Sequence, residues 1–379
     1  PPGRPVVRPV HASSVPTGLE FCIGCVSSNL RHGLPEYATS GVPLAAASTA
    51  GAAAETGPCS IDRARRAAAT INASGACYLR MDAVLTLAVA TIAIVLLFDY
   101  TNGFHDAANI VATVIASCAM TPVQAVIVVG FFEFLGPLLG GTAVANTIGK
   151  IVDLSDVEPL LALSIMFCGL LGAIAWNLMT WWRGIPSSSS HALVGALAGA
   201  VVAAVGNGHV VWGVQELAAE GRLTGVMKVL LALVLSPLAG FWFGFLLHRF
   251  MKAALRRAKP RVNRHLRLSQ FATAAGLAFS HGANDAQKSM GMLTLVLMLA
   301  GFIQHFAVPF WVTLSCAVAM TLGILSGGWR IVRTLGFAIY RVRPLHALDS
   351  QLTAAGVIFS ASMLGAPVST VTESALEAA

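Results

Sequence analysis

Charge is scarce in this chain. Asp, Glu, Lys and Arg together make up only 11% of 379 residues, less than half the share usual in soluble globular domains. So little charge excludes an ordinary solvated enzyme and a charge-rich disordered protein. No Walker-type phosphate loop, nucleophile elbow or soluble catalytic domain can be found, so an enzyme is not expected. The seven cysteines include one CxxC, Cys22 and Cys25, without a second pair to complete a tetrahedral metal site. Instead, 56% of the residues are hydrophobic and the mean hydropathy is +0.74. Several apolar stretches approach the roughly 20 residues that span a bilayer.

The net charge of +7 does not point to nucleic acid, because the cations gather at the edges of apolar segments. Residues 251–268 hold Lys252, Arg256, Arg257, Lys259, Arg261, Arg264 and Arg267 with no acid, which predicts a cytoplasmic loop. Residues 330–343 are basic too, whereas loops 150–158 and 207–223 carry more acids than bases. Apolar segments are predicted at 83–120, 123–141, 160–182, 191–206, 226–248, 271–300, 308–328 and 351–366. With all of them crossing, the basic loops lie inside, and the acidic loops and the N-terminus outside. The 191–206 segment is short and leaves a re-entrant hairpin open. Polar residues from Asp99 to Asp106 predict a break in the first span.

Residues 1–80 differ from the rest, being rich in Ala, Ser, Pro and Gly. A disordered tail or an over-extended start is expected there, with an organellar transit peptide as the alternative. The remainder divides into a first repeat (81–250), the basic loop (251–268) and a second repeat (269–379).

Those repeats rest on a duplicated polar motif, Asn102-Gly103-Phe104-His105-Asp106-Ala107-Ala108-Asn109 and Ser280-His281-Gly282-Ala283-Asn284-Asp285-Ala286-Gln287-Lys288. Gly103 aligns with Gly282 and Asp106 with Asp285. The predicted topology runs the two motif helices in opposite directions, the sign of an inverted repeat with its site between the halves. Carboxylates and amides at membrane depth are costly unless they bind something. Asp106 and Asp285 offer hard oxygen ligands for a cation or a place for a proton, and Asn109, Asn284 and Gln287 add neutral groups. Gly103 and Gly282 are expected to permit helix interruptions.

A second pair follows at nearly the same offset: Pro186 with Ser187–Ser190 and His191, and Pro367 with Ser369 and Thr370. Hydroxyls beside the free N–H groups of a helix start suit a tetrahedral oxyanion. Ser188, Ser189, Ser190, Ser369 and Thr370 are therefore candidate anion ligands. His105, His191 and His281 are candidates for proton relay or metal binding, although each alone is more often structural. Lys288 would either contact the anion or neutralise Asp285. Anion donors and cation ligands, both doubled, describe anion symport driven by a cation gradient.

Together NGFHDAAN, GIPSSSSHALVGA, SHGANDAQK and GAPVST resemble the inorganic phosphate transporter (Pit) family, closest to its bacterial low-affinity branch. The resemblance implies an all-α, polytopic inverted-repeat carrier of the bacterial inner membrane. Phosphate, or a neutral divalent metal–phosphate complex, would move with Na+ or H+, and no cofactor or nucleic acid is implied. A homodimer and a sulfate-carrying relative are the alternatives that the resemblance leaves open. It places Asp106, Asn109, Asp285 and Asn284 on cation and phosphate, and Ser188–Ser190, Ser369 and Thr370 on phosphate. His105 stands where many members have Asn, which favours proton or metal coupling over Na+. Val371-Thr372 replace the family's Thr-His, so a truncated, non-transporting fragment is the remaining expectation.

Overall fold

The computed structural model describes residues 58–185, 187–259, 261–327 and 343–368, with side chains from Arg80 onward except those of Ala107 and Asn109. The eight predicted segments correspond to eight helices: α1 (Pro58–Ala116), α2 (Pro122–Leu139), α4 (Pro159–Arg183), α5 (Ser189–Val205), α7 (Gly225–Ala254), α8 (Val262–Leu299), α9 (Phe310–Ser326) and α10 (Pro344–Met363). Two short helices intervene, α3 (Ala143–Ile148) and α6 (Val214–Glu220). Residues Arg80–Ala116 and helices α2, α4 and α7 are long and apolar enough to cross a membrane, while α5 and α9 are shorter apolar helices. Lipid-exposed hydrophobic residues give α7 its outer face: Trp242, Phe243 and Leu246 are each more than half exposed, as expected where hydrocarbon replaces water.

One expectation fails at once. α1 runs without interruption through Asp99, Asn102 and Asp106, and α8 is equally continuous through His281 and Asp285. The polar residues look like a break in hydropathy, but they are buried against other helices, and burial with partners removes the need for a break. α1 also starts earlier than the Met81 boundary, at Pro58. The Ala- and Arg-rich run after Pro58 is good helix-forming sequence. The chain divides into two compact units, Pro1–Ala83 and Val84–Ala379; the fold below concerns the second.

Helix α8 is its axis, buried without a gap from Ser280 to Leu297 and packed by α2, α3, α9 and α10. The motif glycines explain how these helices approach. A Cβ on Gly103 would fall on the Met320 carbonyl of α9, and one on Gly282 would fall on the Glu133 carbonyl of α2. The partners reciprocate: Gly323 of α9 meets Tyr100 and Phe104, and Gly136 of α2 meets Phe279 and Ala283. Each motif helix therefore packs glycine to backbone on a helix of the other repeat. That close approach, rather than an interruption, is what the two motif glycines permit.

Helices α4 and α5 form a hairpin. Its turn begins at Gly184, in the left-handed conformation (φ 68°), with Ile185 N–H donating to the Thr180 carbonyl at 2.9 Å. After α10 the device repeats: Gly365 has φ 65° and Ala366 N–H donates to the Ala361 carbonyl at 2.9 Å. This is the glycine-terminated helix end that exposes the next residues as a tip. Ser189 and Ser190, just beyond the first tip, are buried inside the protein, which fits the re-entrant alternative for α5. On one side of the body, Val152 and Val210 form an antiparallel bridge and Asp153 N–H donates to the His209 carbonyl at 2.9 Å. The two acid-bearing loops therefore share a face, as the predicted topology requires.

Candidate functional site

The tip of the first hairpin, the turn after α10 and the two motif helices meet in one buried cluster. His105, on α1, reaches Thr180 of the first hairpin through Nε2 (3.2 Å), and its Nδ1 lies 3.3 Å from Asp106 Oδ1. Asn284, at the equivalent place on α8, clamps the second tip: its Nδ2 donates to the Ala366 carbonyl (3.1 Å) and its Oδ1 accepts from Val368 N–H (3.2 Å). Phe104 holds the first hairpin from the other side, edge-on to Trp181 with ring centroids 5.3 Å apart.

Between the tips the serines divide their work. Ser188 Oγ accepts from His191 N–H at 3.3 Å and caps α5. Ser189 Oγ donates to Asp106 Oδ2 at 3.1 Å. Ser190 Oγ accepts from Lys288 Nζ at 2.5 Å and donates to the Val368 carbonyl at 3.3 Å, so it bridges the halves. Lys288 Nζ also pairs with Asp285 Oδ1 at 2.7 Å and donates to the Val368 carbonyl at 3.1 Å. Of the two roles expected for Lys288, neutralising Asp285 is therefore met, and the same ammonium stands beside both tips.

A second part of the cluster lies one helical turn away. Asn102 Nδ2 donates to Asp285 Oδ2 at 3.2 Å. His281 Nδ1 contacts Glu133 Oε1, while His281 Nε2 has no hydrogen-bond partner. That nitrogen lies 3.9 Å from Asp106 Oδ2 and 3.7 Å from Asp285 Oδ2, too far for a hydrogen bond. If Nδ1 carries the proton for Glu133, Nε2 is a bare acceptor facing two carboxylates. Three acceptors turned toward one another are stable only around something positive. Their ligand atoms all lie within 4.8 Å of one another, the span left by opposed ligands about 2.4 Å from a central cation.

Most sequence-predicted residues thus converge: Asp106, Asp285, Ser189, Ser190, Asn284, Lys288, His105 and His281. Gln287 is tied instead to the scaffold, accepting from Val144 N–H at 2.7 Å and donating to the Gly140 carbonyl at 3.2 Å. His191 has an exposed side chain. The Asn109 side chain, Ser369 and Thr370 lie outside the described residues. Glu133, Asn102, Thr180 and Asp99 were not singled out as ligands. Glu133 carried the same signal as the motif acids, a carboxylate within an apolar span, but it has no duplicate.

Comparison with known proteins agrees with this architecture. Residues 102–375 match the sequence profile of the phosphate transporter family. A probable low-affinity inorganic phosphate transporter of Bacillus subtilis (strain 168) is 40% identical over 295 residues, covering 76% of this chain and 84% of that protein. One of the same description from Rhizobium meliloti (strain 1021) is 41% identical with the same coverage. Among solved structures, a sodium-dependent phosphate transporter superposes with a TM-score of 0.68 at 22% identity, over 77% of this chain and 88% of that one; the likeness speaks for the fold.

Proposed function

The chain belongs to the phosphate transporter family, and from that premise we propose that it moves inorganic phosphate, free or as a metal complex, by cation-coupled symport across the bacterial inner membrane. It is a multi-pass membrane protein and not an enzyme. The observation that carries the coupling is the partnerless His281 Nε2 set between Asp106 and Asp285. A cation there supplies the positive charge that three facing acceptors lack. Phosphate takes the neighbouring place beside the first tip, where Ser189, Ser190 and Lys288 supply donors. In the structure those donors are engaged by Asp106, Asp285 and Val368. Cation binding on the carboxylates frees the serine hydroxyls and the ammonium for the anion, so each ligand prepares the place of the other.

The test is uptake of labelled phosphate by proteoliposomes holding the purified chain. Accumulation that excess sulfate does not suppress is the expected result. Equal competition by sulfate would make it a sulfate carrier, and absence of uptake would make it a non-transporting fragment. Replacing Na+ by choline, and separately collapsing the pH gradient, identifies the ion held by the triad.

A further inference from the structure

Asp99 sits on α1 about two turns from Asp106, completely buried. Ser289 Oγ of α8 donates to its Oδ1 at 2.8 Å, and its Oδ2 has no partner. None of the ion pairs among the described residues includes it. The groups that bear on it from the packed helices are Asp285 and Ser289 on α8, Glu133 on α2 and the Cys316 thiol on α9. Both charged ones are acids. A carboxylate so placed, with one hydroxyl and one weak thiol donor and no cation, costs several kcal/mol to keep ionised. Asn102, one turn further along the same helix, completes the pattern: its Oδ1 is also without a partner, while its Nδ2 holds Asp285.

We propose that Asp99 is a proton-carrying site, distinct from the Asp106–His281–Asp285 triad and joined to it through Asn102. A proton on Oδ2 removes the unpaired charge and supplies the O–H donor that the orphaned Asn102 oxygen lacks. Asn102 then offers its oxygen to Asp99 and its N–H2 to Asp285. When the proton leaves, two carboxylates compete for that single amide donor group, and the hold on Asp285 loosens. The proton is taken from water on the side where phosphate enters and returned to water on the other; no bond other than O–H is made or broken. This rests on the symport reading and adds to it a second coupling group.

Two measurements on the intact chain in lipid test it. In infrared difference spectra, the wild type should show the carbonyl band of a buried protonated carboxyl, and Asp99→Asn should remove it. In proteoliposomes with an imposed pH gradient, Asp99→Asn should lower phosphate accumulation by about tenfold or more, with phosphate–phosphate exchange surviving at a measurable rate. Asp99→Glu, which keeps a titratable group, should retain most of the accumulation. Absence of the band, its persistence in Asp99→Asn, or accumulation by that variant at the wild-type level each overturns the proton site. A wild type with the band but without phosphate uptake would remove the symport reading and leave the protonated carboxyl standing.

Discussion

The two motif helices share a backbone but not a chemistry. α1 and α8 use equivalent glycines, Gly103 and Gly282, to rest on carbonyls at corresponding places, Met320 and Glu133. Around those contacts the side chains diverge. Beside the first, Asn102 donates to Asp285 and the α9 residue is an apolar Met320; beside the second, His281 meets Glu133. Where α1 has His105 holding the first hairpin tip, α8 has Asn284 holding the turn after α10. The glycine packing is therefore shared by the two helices, while the side-chain chemistry around it differs. Near-symmetry brings two turns to one buried cluster, and asymmetry gives that cluster side chains of both signs.

The comparison is sharpest at the paired carboxylates. Asp106→Asn and Asp285→Asn should each abolish gradient-driven phosphate accumulation, yet they should differ in stability. Asp285→Asn strands the buried Lys288 ammonium and should destabilise the protein by about 3–5 kcal/mol, read from thermal unfolding in detergent. Asp106→Asn keeps neutral donors on both sides and should melt close to the wild type. Equal melting of the two variants would mean that Lys288 does not depend on Asp285.

Next come the serines at the first tip. Ser189→Ala with Ser190→Ala removes two hydroxyl bonds to an anion, each worth about 1.5–3 kcal/mol, so phosphate affinity should fall by roughly two to four decades. Near-normal binding by isothermal titration would show that these serines only join the halves. Glu133→Gln and Met320→Leu then probe one backbone position twice. The first weakens a charge-assisted contact to His281 and should lower stability by about 2–3 kcal/mol; the second, a volume-conserving swap, should lower it by less than about 1.5 kcal/mol. Similar losses would erase the proposed difference between the interfaces.

Gly103→Ala and Gly282→Ala should destabilise to a like extent, about 1–3 kcal/mol each, because both push a methyl onto a carbonyl. Markedly unequal shifts in melting would show that the packing itself is not duplicated. The smallest effect belongs to Ser188→Ala, which loses an α5 cap worth about 1 kcal/mol and should leave phosphate affinity nearly unchanged.

Sequence alone revealed the eight segments, the paired motifs and most of the converging side chains, because hydropathy and repetition are written along the chain. It misread the continuity of α1. A buried polar stretch and a break look alike when the helices that bury it lie far away in sequence. For the same reason Glu133 stayed hidden: its meaning comes from His281, a residue of the other repeat. The four serines looked interchangeable, and only the hairpin geometry separates the cap, Ser188, from Ser189 and Ser190.

The glycine contacts also bear on how the protein is made. α1 leaves the ribosome early, but Gly323, against which Gly103 packs, lies near the end of the described chain. Until α8 and α9 arrive, Asp99 lacks its Ser289 donor and Asp106 lacks the α8 face that encloses it beside Ser189 of α5, so the nascent protein must pass through the translocon with two acids incompletely enclosed. We expect chains arrested before α9 to react at these acids with a membrane-permeant carbodiimide, and chains arrested after α10 to be protected; equal labelling at both lengths would show that α1 is sheltered from the outset.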